Sequence, residues 1–268
     1  MMRLHSLLFA CGAVLLLNAC DRPESGVYQG YAEGEYVRAA PIDGGTIDTI
    51  PVKRGDRVAD GALLFQLDRT AEIAGHDQAA ANLASAQATF LKTGLDFNRL
   101  AALVQRGNAS QADLDAARAA RDAADAAAKA ATAALAQADW RLARREGRAA
   151  KGGIVDDVYF RPGEYAGPGQ PVVSVLPPEN IKVRFFIPEP ELGRVRSGDK
   201  VALSCDGCPA GLTGTIRFLS PQAEFTPPVI YSKDSQAKLV YLAEAWPDAN
   251  PEALHPGQPV RVALAAAK

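Results

Sequence analysis

The chain has 268 residues, 48% of them hydrophobic, enough to bury at least one core and to form about one to three modules. Its formal charge of −2 excludes the polycationic footprint of a nucleic-acid binder and the dense basic face of a membrane-surface helix. No nucleic-acid partner is expected.

Arg3 precedes an apolar run from Leu7 to Leu17 that is too short to span a membrane stably, so residues 1–19 read as a secretory signal peptide. The run closes on "LNAC", which resembles a bacterial lipobox, and the resemblance implies that Cys20 becomes the lipidated first residue of the mature protein. Lipid chains contribute about 0.8 kcal/mol per buried CH2, so several together anchor firmly. Asp21 resembles the residue that keeps proteobacterial lipoproteins in the inner membrane, facing the periplasm. The plainer alternatives are an ordinary thiol at Cys20 and a solvated Asp21 in a linker over residues 20–35.

An internal repeat follows. "GGTIDTIPVKRGDRVADGALLFQL" from Gly44 matches "GGIVDDVYFRPGEYAGPGQPVVSV" from Gly152 without a gap. Glycines pair at 45 and 153, 55 and 163, and 61 and 169, while Ile47/Val155, Leu64/Val172, Phe65/Val173 and Leu67/Val175 pair in apolar character. Short strands with glycine turns are predicted, and neither copy alone can bury its apolar face. The segments "RGDRVADGALLFQL" and "RPGEYAGPGQPVVSV" resemble the halves of a biotinyl/lipoyl-type barrel-sandwich hybrid, here over residues 36–70 and 150–178. Carrier domains of that fold present a modifiable lysine, yet "DRT" follows Leu67 and "LPP" follows Val175, so a swinging-arm role is not expected.

Between the halves, residues 71–149 lack proline and are dominated by alanine, the best helix former. Leu83, Phe90, Phe97 and Val104 recur every seven residues, and Leu114, Ala117, Arg121, Ala124, Ala128, Ala131, Leu135, Ala138 and Leu142 alternate by three and four. Both are coiled-coil seams, predicting two antiparallel arms of roughly 35 residues, about 50 Å long at 1.5 Å per residue. "QRGNASQAD" is the turn, with Gly107 ending the outgoing helix and Ser110 and Asp113 forming a capping box for the return. Arg99 and Leu103 are four apart, beside the seam, and are expected to face outward near the tip. Singly, these residues read as a solvated arginine, a fringe leucine and a helix cap.

Arg99, Leu103 and Ser110 at the tip of a hairpin inserted in a split lipoyl-like domain resemble the tip motif of periplasmic adaptors, the membrane fusion proteins of the hemolysin-secretion (HlyD) type. The resemblance implies that these three residues dock onto a TolC-like outer-membrane channel.

From Ile181 the pattern changes to alternating strands, with a short helix predicted within Pro188–Val195, and residues 179–268 suit a small antiparallel β-barrel. In "VALSCDGCPAG" the Asp206-Gly207 pair predicts a type I′ hairpin turn that sets Cys205 opposite Cys208 on paired strands. A structural disulfide is favoured in an oxidising compartment. Zinc would need more ligands than His76 and His255 can add, so no metal site is expected.

The predicted fold is α+β: a split lipoyl-like domain, an inserted coiled-coil hairpin, then the barrel. No phosphate-binding loop or supported catalytic triad is present in the sequence, so a non-enzymatic protein without a cofactor is expected. The family resemblance implies a homo-oligomeric ring, trimeric or hexameric, in the periplasm, anchored to the inner membrane and joined to an exporter there. Adaptors of resistance-nodulation-division pumps usually add a membrane-proximal domain built from both chain ends, for which Asp21–Gln29 is short, so an ATP-binding cassette exporter is favoured. "EFTPPVIYS", Glu224–Ser232, resembles a stretch in adaptors of such exporters. The alternatives are a resistance-nodulation-division adaptor and a structural coiled-coil lipoprotein.

Overall fold

The structure, a computed structural model, describes residues 26–225 and 239–265; the signal peptide, Cys20, Asp21 and all but the first two residues of Glu224–Ser232 lie outside the described residues. One compact unit is Tyr36–Pro177, and the other is drawn from the chain on either side of it.

After β1 (Val27–Gly34), which belongs to the second unit, the first repeat copy forms β3 (Gly45–Thr49), β4 (Arg57–Val58) and β5 (Leu63–Leu67), preceded by β2 (Val37–Ala39). The second copy repeats the series as β6 (Glu146–Arg148), β7 (Gly153–Val158), β8 (Tyr165–Ala166) and β9 (Val173–Leu176). Two four-stranded sheets result, ordered β2-β9-β7-β4 and β6-β5-β3-β8, and each takes two strands from each copy. The halves are therefore intertwined: Ile47 N donates to Glu164 O and Val155 N donates to Asp56 O, both at 2.8 Å and at equivalent places in the repeat. Ile47, Leu64, Phe65 and Leu67 from one copy bury themselves against Val155, Val172, Val173 and Val175 from the other. Neither half could reach this core without its partner.

The strand β6 corrects the sequence boundary. The helical segment was expected to run to Ala149, but the helix ends at Ala143 and Glu146–Arg148 pairs with β5. Local composition there still favours helix; tertiary packing overrides it. A Cβ on Gly147 would overlap the Phe65 ring, so the strand lies against the core only because that residue is glycine.

The hairpin consists of α1 (Thr70–Gln105) and α2 (Gln111–Ala143). The α2 residues of the expected seam, from Leu114 to Leu142, are all partly or fully covered, and Asp125 is the one other covered position of that helix. On α1 a second seam position per heptad, Ala79, Ala86, Thr93 and Leu100, joins Leu83, Phe97 and Val104, whereas Phe90, expected in the seam, is exposed. Ala79, Ala86 and Thr93 are small or polar and carry little apolar signal in the sequence. Arg121 tolerates its seam position because its guanidinium lies 4.4 Å from the Phe97 ring centroid. Among the residues of both helices only Ala124 is buried, so two helices bring little area out of water and the arm is slender.

The second unit is a closed six-stranded barrel in the order β1-β10-β13-β12-β11-β14, with β10 (Ile181–Pro188), β11 (Lys200–Ser204), β12 (Thr213–Phe225), β13 (Leu239–Pro247) and β14 (Pro259–Leu264). The expected short helix is a 3-10 segment, Glu189–Arg194. The expected linker over residues 20–35 needs correction, because β1 closes the barrel by pairing Gly30 with both Phe185 and Val260. A Cβ at Gly30 would stand 2.5 Å from Arg184 O, which shows how tightly β1 is squeezed between its neighbours.

Cys205 and Cys208 are in disulfide contact with Cα atoms 5.3 Å apart. The turn between them differs from the expected type I′ hairpin: Gly207 has φ of 83° while Asp206 is not left-handed, and both cysteines lie outside the strands. Left-handed backbone at the second central residue alone is the type II pattern. A second turn at Ala210-Gly211 completes the connection to β12.

Candidate functional site: the hairpin tip and its base

The tip is built by two complementary helix ends. At the end of α1, Gly107 N donates to Val104 O at 3.0 Å and Asn108 N donates to Leu103 O at 2.9 Å, a Schellman motif made possible by φ of 75° at Gly107. At the start of α2, Asp113 N donates to Ser110 Oγ at 3.2 Å and Ser110 N donates to Asp113 Oδ2 at 3.2 Å, a complete capping box. The Ser110 side chain also donates to Asp113 Oδ2 at 2.6 Å, and these hydrogen bonds hold the Asp113 carboxyl below the usual range.

Arg99 is well exposed, its side chain 69% accessible, and pairs with Asp96 one turn earlier. Leu103 is half-buried rather than fully outward, because its turn is where the chain folds back. Arg99, Leu103 and Ser110 thus lie within two turns of one exposed end. Below them, a groove of about 380 Å³ runs between the helices, lined by Thr93, Asp96 and Leu100 on α1 and by Ala116 and Ala120 on α2.

Apart from His76, weighed above only as a metal ligand, the base of the hairpin carries residues that the sequence did not single out. Arg145 pairs with Glu72 on α1, and its Nη1 donates to Gly44 O at 3.1 Å. Arg69 pairs with Glu146 at 3.1 Å. Arg144 Nε lies 3.2 Å from Asp43 Oδ2 without hydrogen-bond alignment, and its guanidinium stacks 4.1 Å from the Trp140 ring centroid. His76 Nε2 bridges the arms to Asp139 at 3.1 Å. Charged groups that are partly shielded and bonded to backbone hold direction better than exposed pairs. They tie both helices to the sandwich, so a load at the tip reaches the β core. Only the "RR" preceding Glu146 could have hinted at this, and such pairs are common on helix ends.

The family model described as "RND MFP, alpha-helical hairpin domain" matches residues 75–144. The "UPF0194 membrane protein in asrC 5'region" of Acidithiobacillus ferridurans is 30% identical over a 311-residue alignment covering 95% of this chain and 92% of that protein. Among solved structures, the membrane fusion protein Spr0693 from Streptococcus pneumoniae R6 has the same fold at 20% identity, with a TM-score of 0.65 over 91% of this chain and 100% of that one. MacA from Actinobacillus actinomycetemcomitans aligns with a TM-score of 0.57 at 19% identity, covering 89% of this chain and 78% of MacA. The chain belongs to the UPF0194 family of that Acidithiobacillus relative, and its hairpin is similar over residues 75–144 to the hairpin domain of membrane fusion proteins. Among the described residues no helix is long and apolar enough to cross a membrane.

Proposed function

We propose that this chain is a non-enzymatic periplasmic adaptor that links an inner-membrane exporter, of the ATP-binding cassette type, to a TolC-like outer-membrane channel. The observation that carries the reading is the tip, where a capped, solvent-facing turn presents Arg99 and Leu103 beside Ser110. A rigid turn on a long arm meets another helical end with little ordering cost, and an exposed guanidinium beside an apolar residue supplies both orientation and contact area. In this reading Ser110 caps and docks at once. Several chains form a trimeric or hexameric ring, in which thin alanine-rich arms can stand close together. The signal peptide is removed, Cys20 carries the lipid anchor, Asp21 holds the protein at the inner membrane, and Cys205 and Cys208 stay oxidised.

A second reading, an adaptor for a resistance-nodulation-division pump, is favoured by the description of the matched hairpin family. A photoreactive residue in place of Leu103, introduced in cells, tests the docking step. Capture of an outer-membrane channel supports the adaptor reading, whereas no capture with export intact removes it in favour of a purely structural coiled-coil lipoprotein. Co-purification of an ATPase with its permease, as opposed to one large pump, separates the two exporter classes.

A further inference from the structure

The equivalent loops after β3 and β7 face each other across a cleft of about 320 Å³. Val52 and Phe160 occupy matching places in the two repeat copies, as do Lys53 and Arg161. Val52, Val158 and Phe160 pack on the sandwich core and are half-buried, whereas Lys53, Arg54 and Arg161 are exposed at the rim. Among the described residues none of these three cations takes part in a salt bridge. The carboxylates nearest in sequence are engaged in holding the loops: Asp56 Oδ2 accepts from Lys53 N at 2.8 Å, and Glu164 Oε2 accepts from Arg161 N at 2.8 Å. Fold stability therefore does not account for three positive charges gathered around an apolar floor.

We propose that this cleft binds a small amphipathic organic anion, with a planar apolar group on Val52, Val158 and Phe160 and a carboxylate, sulfonate or phosphate met by Lys53, Arg54 and Arg161. The volume lies at the lower end of small-molecule sites, which begin at about 300 Å³. Unpaired cations beside a low-dielectric wall focus a positive potential, and the arginine fork matches a planar oxyanion with two parallel hydrogen bonds. The ring of Phe160, with Tyr159 beside it 48% exposed, offers an aromatic face to the apolar part. Neither half of the repeat makes the site alone, since each supplies one wall.

The inference stands apart from channel docking, because its test uses the isolated full chain. Purified protein is irradiated with 4-azidobenzoate, and the labelled peptides are mapped by mass spectrometry. Labelling is expected to concentrate on residues 52–54 and 158–161, to be displaced by naphthalene-2-sulfonate and to weaken as salt is raised. In the Lys53→Gln/Arg161→Gln variant, whose changes are confined to exposed side chains, labelling should fall about three- to tenfold, in line with the loss of two partly screened ion pairs. Equal labelling of this variant, equal labelling by the neutral 4-azidobenzamide, or labelling spread over the chain would each overturn the proposal. Matching thermal melts of variant and parent establish that any loss reflects the cleft and not the fold.

Discussion

Gly55 N donates to the carbonyl of Val155 at 2.8 Å, and the equivalent bond, Gly163 N to Ile47 O, has the same length. Each glycine has a left-handed backbone, with φ of 89° and 93°, which turns its N–H toward the opposite repeat copy. The two β segments are thereby one folding unit, and the helices between them must leave and return at one place.

Gly147 tests that closure. Gly147→Ala is expected to destabilise the sandwich by about 1–3 kcal/mol, because the new methyl overlaps Phe65 in a packed core. Gly75→Ala, on an open helix face with nothing within 4 Å of the added carbon, should instead stabilise the hairpin by about 0.5–1 kcal/mol. Urea denaturation followed by circular dichroism checks both; effects of the same sign would refute the assignment of β6 and α1 to these environments.

Ser110→Ala removes the acceptor of the capping box, and a loss of about 1 kcal/mol localised at the start of α2 is expected. Hydrogen exchange at the Asp113 amide should accelerate while the sandwich core stays protected. The Asp113 carboxyl is held below its ordinary value by the Ser110 hydrogen bonds, so its contribution is present above the unfolded carboxylate range. It is lost as pH falls through the lowered value, so protection of the tip amides, taken relative to the intrinsic exchange rate at each pH, should fall at acid pH in the parent but change less in the variant.

Arg99→Glu is expected to abolish or strongly reduce export while shifting stability by no more than about 0.5 kcal/mol, since its ion pair with Asp96 is exposed. Export assays and thermal melts on the same preparation decide the matter. Parallel loss of both would make Arg99 an ordinary helix-surface residue.

Lys182 is buried in the barrel wall between Glu35, at 2.6 Å, and Glu244, at 2.9 Å, with the Trp246 ring centroid 5.5 Å away. Burial pulls its pKa down, but the hydrogen bonds to the two glutamates outweigh that and hold it above the ordinary lysine value. Its contribution is therefore complete below the unfolded lysine pKa and is lost as pH rises through the raised value, in strongly alkaline solution only. Lys182→Ala should cost about 3 kcal/mol by stranding Glu244, and Lys182→Met/Glu244→Leu should recover part of that loss. Equilibrium unfolding of both variants at neutral pH measures the difference.

Much of this molecule was legible in the sequence by itself. The Gly44 and Gly152 repeat specified the sandwich, because glycine turns and apolar alternation are local consequences of backbone sterics. The seam from Leu114 to Leu142 and the cap at Ser110 specified the hairpin, because helical period and end-group hydrogen bonding act within a few residues. Tertiary structure alone decided the rest. Gly147 became strand because Phe65 lies beneath it, Val27–Gly34 became the closing strand because β10 and β14 leave a gap that Gly30 fits, and Arg145 became a brace because the fold brings Glu72 and Gly44 to it. The Cys205–Cys208 turn followed the same rule, its form set by where β11 and β12 must meet and not by the Asp-Gly pair. Contacts between distant segments cost chain entropy that no local preference repays, so their partners emerge only when the whole core assembles.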